Sequence, residues 1–91
     1  MVEVVLPRSL AAILPGLPHR ATVEGATVAE VVAALDARWP GVADRLLEAG
    51  PAIREHINVF VDGDRATLET PVAAGATVHV IPAVAGGQAS V

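Results

Sequence analysis

One segment limits the folds open to this chain more than any other: the helical signal between Thr27 and Pro40. Thr27-Val28-Ala29-Glu30 fits a capping box. Thr27 closes the first turn and Glu30 reaches back to its backbone, together contributing about 1 kcal/mol. Val28, Val31, Val32, Leu35 and Trp39 then recur at helical spacing, with Glu30, Asp36 and Arg38 off the stripe. Pro40-Gly41 ends the run. Residues 42–49 predict one or two further helical turns, closed by Gly50-Pro51.

The rest of the chain reads as short strands that must cover this helix. Val2 to Leu6 is β-branched and partly alternating, and Pro7 stops it. Residues 7–18 predict an irregular loop with a helical turn at Leu10–Leu14. His19 to Glu24 predicts a second strand pairing back on the first, closed by Gly25. Ile57 to Asp62 alternates strongly, and Asp62-Gly63 is a turn signal. Arg65-Ala66-Thr67 predicts a short edge strand. Thr70-Pro71 and Ala74-Gly75 mark turns, and Ala76 to Ile81 is the last strand. Two strands, a helix, then two or three strands define an α+β domain in which one main helix packs on a mixed sheet of four to five strands. The arrangement expected for that order is a β-grasp, or ubiquitin-like, fold over residues 1–82, its first and last strands parallel in the middle. Residues 83–91 are expected to form a flexible tail.

Composition narrows what such a domain does. At 91 residues the chain makes one domain with a small core, burying roughly 60–65% of its unfolded surface. The hydrophobic share of 53% favours a folded core over disorder. The net charge of −4, with Phe60 and Trp39 as the only aromatic residues, argues against nucleic acid as a partner. All six basic residues are Arg. The absence of Cys excludes disulfides, thiolate metal sites and a Cys nucleophile. No apolar run approaches the ~18 residues of a membrane span and no basic leader precedes Leu10–Leu14, so the expectation is a soluble, cytoplasmic protein.

Side-chain chemistry is sparse. His19, His56 and His79 lack ligand-like spacing, and Asp62-Gly63-Asp64 reads as a hairpin turn because the remaining ligands of a calcium loop are missing. Ser9 and Ser90 have no nearby His/Asp arrangement, and Gly86-Gly87 precedes no helix and so makes no phosphate cradle. No catalytic residue, metal site or bound cofactor is expected. Two features remain. With Val59, Val61, Val78 and Val80 facing the helix, Asn58, Phe60, His79 and Ile81 face away, as does Val5 on the first strand. Val5, Phe60 and Ile81 on one open face make either a protein-binding patch or a scatter of ordinary surface apolar residues. The other feature is the tail, Pro82-Ala83-Val84-Ala85-Gly86-Gly87-Gln88-Ala89-Ser90-Val91. It is either a loose end or an arm threaded into a partner, because glycines without side chains enter a narrow site. From Pro82 to Gly87 it reaches roughly 20 Å, and residues 88–91 carry the chain roughly 13 Å farther.

The strand Ile57–Asp62, the turn at Ala74-Gly75 and the run Ile81-Pro82-Ala83-Val84-Ala85-Gly86-Gly87 resemble the ThiS/MoaD sulfur-carrier family, most of all its cysteine-biosynthesis branch. The resemblance covers most of residues 1–87. It implies a carrier that is a substrate of its partners and not itself an enzyme. Gly87 would be the sulfur-bearing residue, adenylated and then converted to a thiocarboxylate. Gly86, Ala85 and Val84 would thread the tail, and Ile81, Phe60 and Val5 would face partners. The implied partners are a ubiquitin-activating-type adenylating and sulfurylating enzyme that uses ATP, a pyridoxal-phosphate cysteine synthase, and a zinc-dependent JAMM-type metallopeptidase that regenerates the carrier. This sequence departs from the family pattern in continuing past Gly87 with Gln88-Ala89-Ser90-Val91, so cleavage of the Gly87–Gln88 bond is expected first, with the JAMM-type enzyme a natural candidate. It departs again at Ala74 and Ala76, where relatives often carry acidic residues. Within the carrier class the alternatives are a molybdopterin synthase small subunit and a thiamin thiazole carrier. Outside it they are a ubiquitin-like modifier of other proteins and a plain interaction module.

Overall fold

The helix start is built as the sequence predicts, with one shift. In the computed structural model, which describes residues 1–49 and 52–82, Thr27 Oγ1 accepts the Glu30 N–H at 3.2 Å. The Glu30 carboxylate accepts the Ala26 N–H at 2.9 Å, one residue ahead of the cap. The next two free donors are met from far along the chain: Val28 N–H donates to the Thr70 carbonyl and Ala29 N–H to that of Leu68, at 3.1 and 2.9 Å. The start of this helix, α2 (Val28–Arg38), is therefore stitched to the loop that leads into the last strand. Gly25 packs just before it. A Cβ there would lie 2.8 Å from both Cγ2 and the backbone nitrogen of Val31, so no larger residue fits.

The other elements follow in order: β1 (Val2–Val5), α1 (Arg8–Ile13), β2 (Arg20–Val23), then α2, α3 (Val42–Leu46), β3 (Leu47–Glu48), β4 (Ala52–Ile53), β5 (Ile57–Val61), β6 (Asp64–Arg65) and β7 (Thr77–Pro82). Five strands form one sheet in the order β2-β1-β7-β5-β6. β1 and β7 are parallel in its middle, with Val4 beside Val78, and the other pairs are antiparallel. The expected mixed sheet with parallel central strands is the one observed. Asp62 and Gly63 both take positive φ, +49° and +91°, so the β5–β6 connection is a tight hairpin turn of the kind that matches strand twist.

The predicted helical stretch over 42–49 is corrected by the structure. Only Val42–Leu46 is helical, and Leu47 is already extended, pairing with Ile53 in a small second sheet. Arg54 accounts for the early stop. Its backbone N–H takes the Leu46 carbonyl at 2.9 Å, and its guanidinium donates twice to the Asp44 carbonyl, at 3.1 and 2.8 Å. Carbonyls that a longer helix would use internally are thus taken. Asp36 fixes the start of α3: its Oδ1 accepts the N–H groups of Gly41 and Ala43, both at 3.0 Å. The predicted turn at Leu10–Leu14 is instead a six-residue helix beginning at Arg8.

The core lies between the sheet and α2. Val2, Val4 and Leu6 from the first strand and the residue after it meet Val28, Val31, Val32 and Leu35 from the helix. Val59, Val78 and Val80 complete the sheet side, and Val42 and Leu46 close one end. No buried residue is polar or charged among the described residues.

Candidate functional site

The sheet has a second face, and the register determines what it displays. Antiparallel and parallel pairings align Arg20, Val5, His79, Phe60 and Arg65 in one row across all five strands. The neighbouring row pairs Asn58 with Ile81. Side chains alternate along a strand, so these residues point away from the helix, as the sequence predicts for Val5, Phe60 and Ile81. Val5 and Phe60 are half-buried by their strand neighbours, while Ile81 is 45% exposed. His79 lies between Val5 and Phe60. Arg20 at one end of the row bonds Glu3 at 2.7 Å, and Arg65 stands at the other. The face is thus an apolar strip with a histidine in its middle and an arginine at each end. Sequence reading missed those arginines as members of the site, because their place follows from cross-strand register and not from any local pattern.

A second feature was also missed. Pro82, the last residue of β7, pairs with Ile57. Both line a groove of about 190 Å³ that is also lined by Pro7, Leu10 and Ile13 of the α1 region and by Arg45. Ile13 is 52% exposed. The signal was present in Leu10 and Ile13, which lie three residues apart and share a helix face. The described end of β7 therefore has two exposed isoleucines near it, Ile81 on the sheet face and Ile13 in the groove that Pro82 lines.

Val84, Ala85, Gly86, Gly87 and Gln88 lie outside the described residues. Among the described residues no group of three or more His, Cys, Asp or Glu side chains is arranged to hold a metal ion. Asp62-Gly63-Asp64 forms the hairpin turn, with Asp62 Oδ1 accepting the Thr77 N–H at 2.9 Å. No helix among the described residues is long and apolar enough to cross a membrane.

Known proteins are similar to this chain in sequence and fold. Small archaeal modifier protein 3 of Haloferax volcanii is 37% identical over 68 residues, spanning 70% of this chain and 73% of the relative. The sulfur carrier protein CysO of Mycobacterium tuberculosis is 31% identical over 72 residues, spanning 72% of this chain and 77% of the relative. In the crystal structure of the BexX/CysO complex of Amycolatopsis orientalis, one chain superposes with a TM-score of 0.86 at 32% identity, covering 96% of this chain and all of that one. These likenesses, with the β-grasp sheet, show a ubiquitin-like small protein related to sulfur carriers and archaeal modifiers. The ThiS family profile matches residues 13–87, and the chain belongs to that family.

Proposed function

We propose that this chain is a sulfur carrier whose working group is the carboxylate of Gly87, freed by hydrolysis of the Gly87–Gln88 bond. The observation that carries the reading is the span of the family match, which runs through the tail and stops at Gly87, the second glycine of the pair. In the proposed cycle, peptidase cleavage leaves a carboxylate on Gly87. A ubiquitin-activating-type partner adenylates it with ATP, releasing pyrophosphate. A sulfur nucleophile then displaces AMP, leaving a thiocarboxylate. The likeness to CysO supports cysteine as the destination: a pyridoxal-phosphate cysteine synthase takes the sulfur onto an aminoacrylate, and a JAMM-type metallopeptidase frees the carrier from the adduct. The Val5, Phe60 and Ile81 strip is the proposed docking face for these enzymes. Gly86, Ala85 and Val84 would form the part of the tail that enters their active sites.

Intact-mass measurement on protein from its native cells tests the proposal. The expected species lacks residues 88–91 and, under sulfur demand, includes a form heavier by the difference between a sulfur and an oxygen atom. A chain that keeps residues 88–91 under those conditions overturns the reading. The likeness to an archaeal modifier supports a second reading, in which Gly87 is joined to lysines of other proteins. That reading predicts adducts whose masses exceed the processed chain by those of whole proteins.

A further inference from the structure

The five-stranded sheet has an edge at β6 and an edge at β2. β6 is two residues long, too short to template another strand. β2 runs four residues, and its register with β1 determines which of its backbone groups are already used. Leu6 N–H donates to the His19 carbonyl at 2.7 Å, so His19, Ala21 and Val23 turn their backbone groups toward β1. Glu3, aligned with Thr22, sends its N–H the other way, to the Ala76 carbonyl at 3.1 Å on the β7 side. Arg20 and Thr22 therefore present their N–H and C=O groups to the outer edge, where no strand among the described residues pairs with them.

Those edge groups are self-complementary. A second copy lying antiparallel about a two-fold axis at Ala21 would set Arg20 of each copy opposite Thr22 of the other. Both would be hydrogen-bonded pairs, and the two sheets would become one. Charge does not forbid this: Glu3 neutralises Arg20 at 2.7 Å, and no like charges would stand directly opposite. Arg38 does stand in the way. It is the last residue of α2, it is exposed, and its guanidinium donates to the Thr22 carbonyl at 3.2 Å. The guanidinium carbon lies 4.5 Å from the centre of the Trp39 ring, a cation–π contact that steadies the long side chain over the edge. A guanidinium carries only donors, so it occupies the carbonyl without offering an incoming strand anything to accept a bond. The two-fold axis doubles the effect, because the Thr22 carbonyl of each copy is taken.

We infer that Arg38 closes the β2 edge against strand pairing with a second copy of this chain. The closure takes none of the sheet's own hydrogen bonds, since the carbonyl that Arg38 occupies faces away from β1. It acts at Thr22, one of the two residues that such pairing would use. The inference is independent of the carrier function proposed above, because every group in it belongs to β2 or to the end of α2.

Sedimentation equilibrium on the full chain and its variants tests the inference. Arg38→Ala removes the donor and puts a strong helix former at an exposed helical position, so the fold is expected to persist, as circular dichroism would show. Arg38→Met also removes the donor but keeps an apolar stem beside Trp39. Both variants are expected to form dimers at least about tenfold more tightly than the parent, because each dimer regains two carbonyls for pairing. In Arg38→Ala, hydrogen exchange at the Arg20 and Thr22 amides should slow as protein concentration rises, while both amides stay open in the parent. Adding Thr22→Pro to Arg38→Ala removes an N–H that faces the open edge, a place where a strand tolerates proline. That double variant is expected to associate no more than the parent. Folded Arg38 variants that associate no more than the parent overturn the inference. So do dimers whose Arg20 and Thr22 amides exchange as freely as in the monomer, and a double variant that dimerises as tightly as Arg38→Ala, since either places the contact elsewhere.

Discussion

Alternate residues of β7 serve opposite ends. Val78 and Val80 are 1% and 4% exposed and lie against the helix, whereas His79 and Ile81 look outward and Ile81 is 45% exposed. The same backbone, with the same hydrogen bonds, supports both sets. The inward set carries the burial that holds so small a domain together, since each buried aliphatic side chain contributes about 1.5–3 kcal/mol. The outward set contributes little to that total and is free to answer to a partner. A ubiquitin-like sheet thus divides its labour by strand parity, and a substitution's effect should depend on which parity it falls on.

The largest expected effect tests the inward set. Val80→Asp would bury a carboxylate in a core whose described residues include no buried polar partner. The penalty amounts to several kcal/mol against a total stability of about 5–15 kcal/mol for a domain of this kind. The variant should show no cooperative thermal transition by circular dichroism. A variant that melts like the parent would mean that Val80 faces solvent and that the parity assignment is wrong.

That parity was legible from the sequence because Ile57–Asp62 and Ala76–Ile81 alternate cleanly, and period-2 patterning fixes which face each residue takes. The β-grasp order was legible for a related reason: one capped helix among short strands leaves few ways to cover its apolar stripe. The end of α3 was not. Residues 42–49 look helical locally, and what stops the helix is Arg54, whose contacts with Asp44 and Leu46 span eight to ten positions. The arginines that end the sheet-face row escaped for the same cause. Arg20 and Arg65 are 45 positions apart in sequence and share a row only once three strands lie between them. The chemistry proposed for the tail came from the resemblance and not from patterning, since two adjacent glycines have no period to read.

An intermediate effect is expected where neither face is touched. Asp36 holds α3 onto the end of α2 by accepting the N–H groups of Gly41 and Ala43. Asp36→Ala should cost about 1–2 kcal/mol, as the loss of a helix cap does, and leave the sheet intact. Urea denaturation should show a lower midpoint with an unchanged slope. A change below about 0.5 kcal/mol would mean that the short helix is held by Val42 and Leu46 alone.

The smallest effect on stability falls where the largest effect on binding is expected. Ile81→Asp places a charge on a side chain already near water, at the last outward position of β7 before the tail. Surface changes of this kind stay within about 0.5 kcal/mol, so the thermal midpoint should hardly move. Binding to the proposed activating or sulfur-accepting partner should nevertheless weaken by at least about tenfold, because desolvating the new carboxylate against an apolar partner surface has no compensating pair. Arg65 is too far along the sheet to supply one, being aligned with Phe60 while Ile81 is aligned with Asn58. Measuring both quantities on one preparation decides the matter. Lost binding with a retained midpoint makes the outward face a docking surface. Retained binding by a folded variant makes Ile81 an ordinary exposed aliphatic residue and leaves partner recognition to the tail and to the groove beside Pro82.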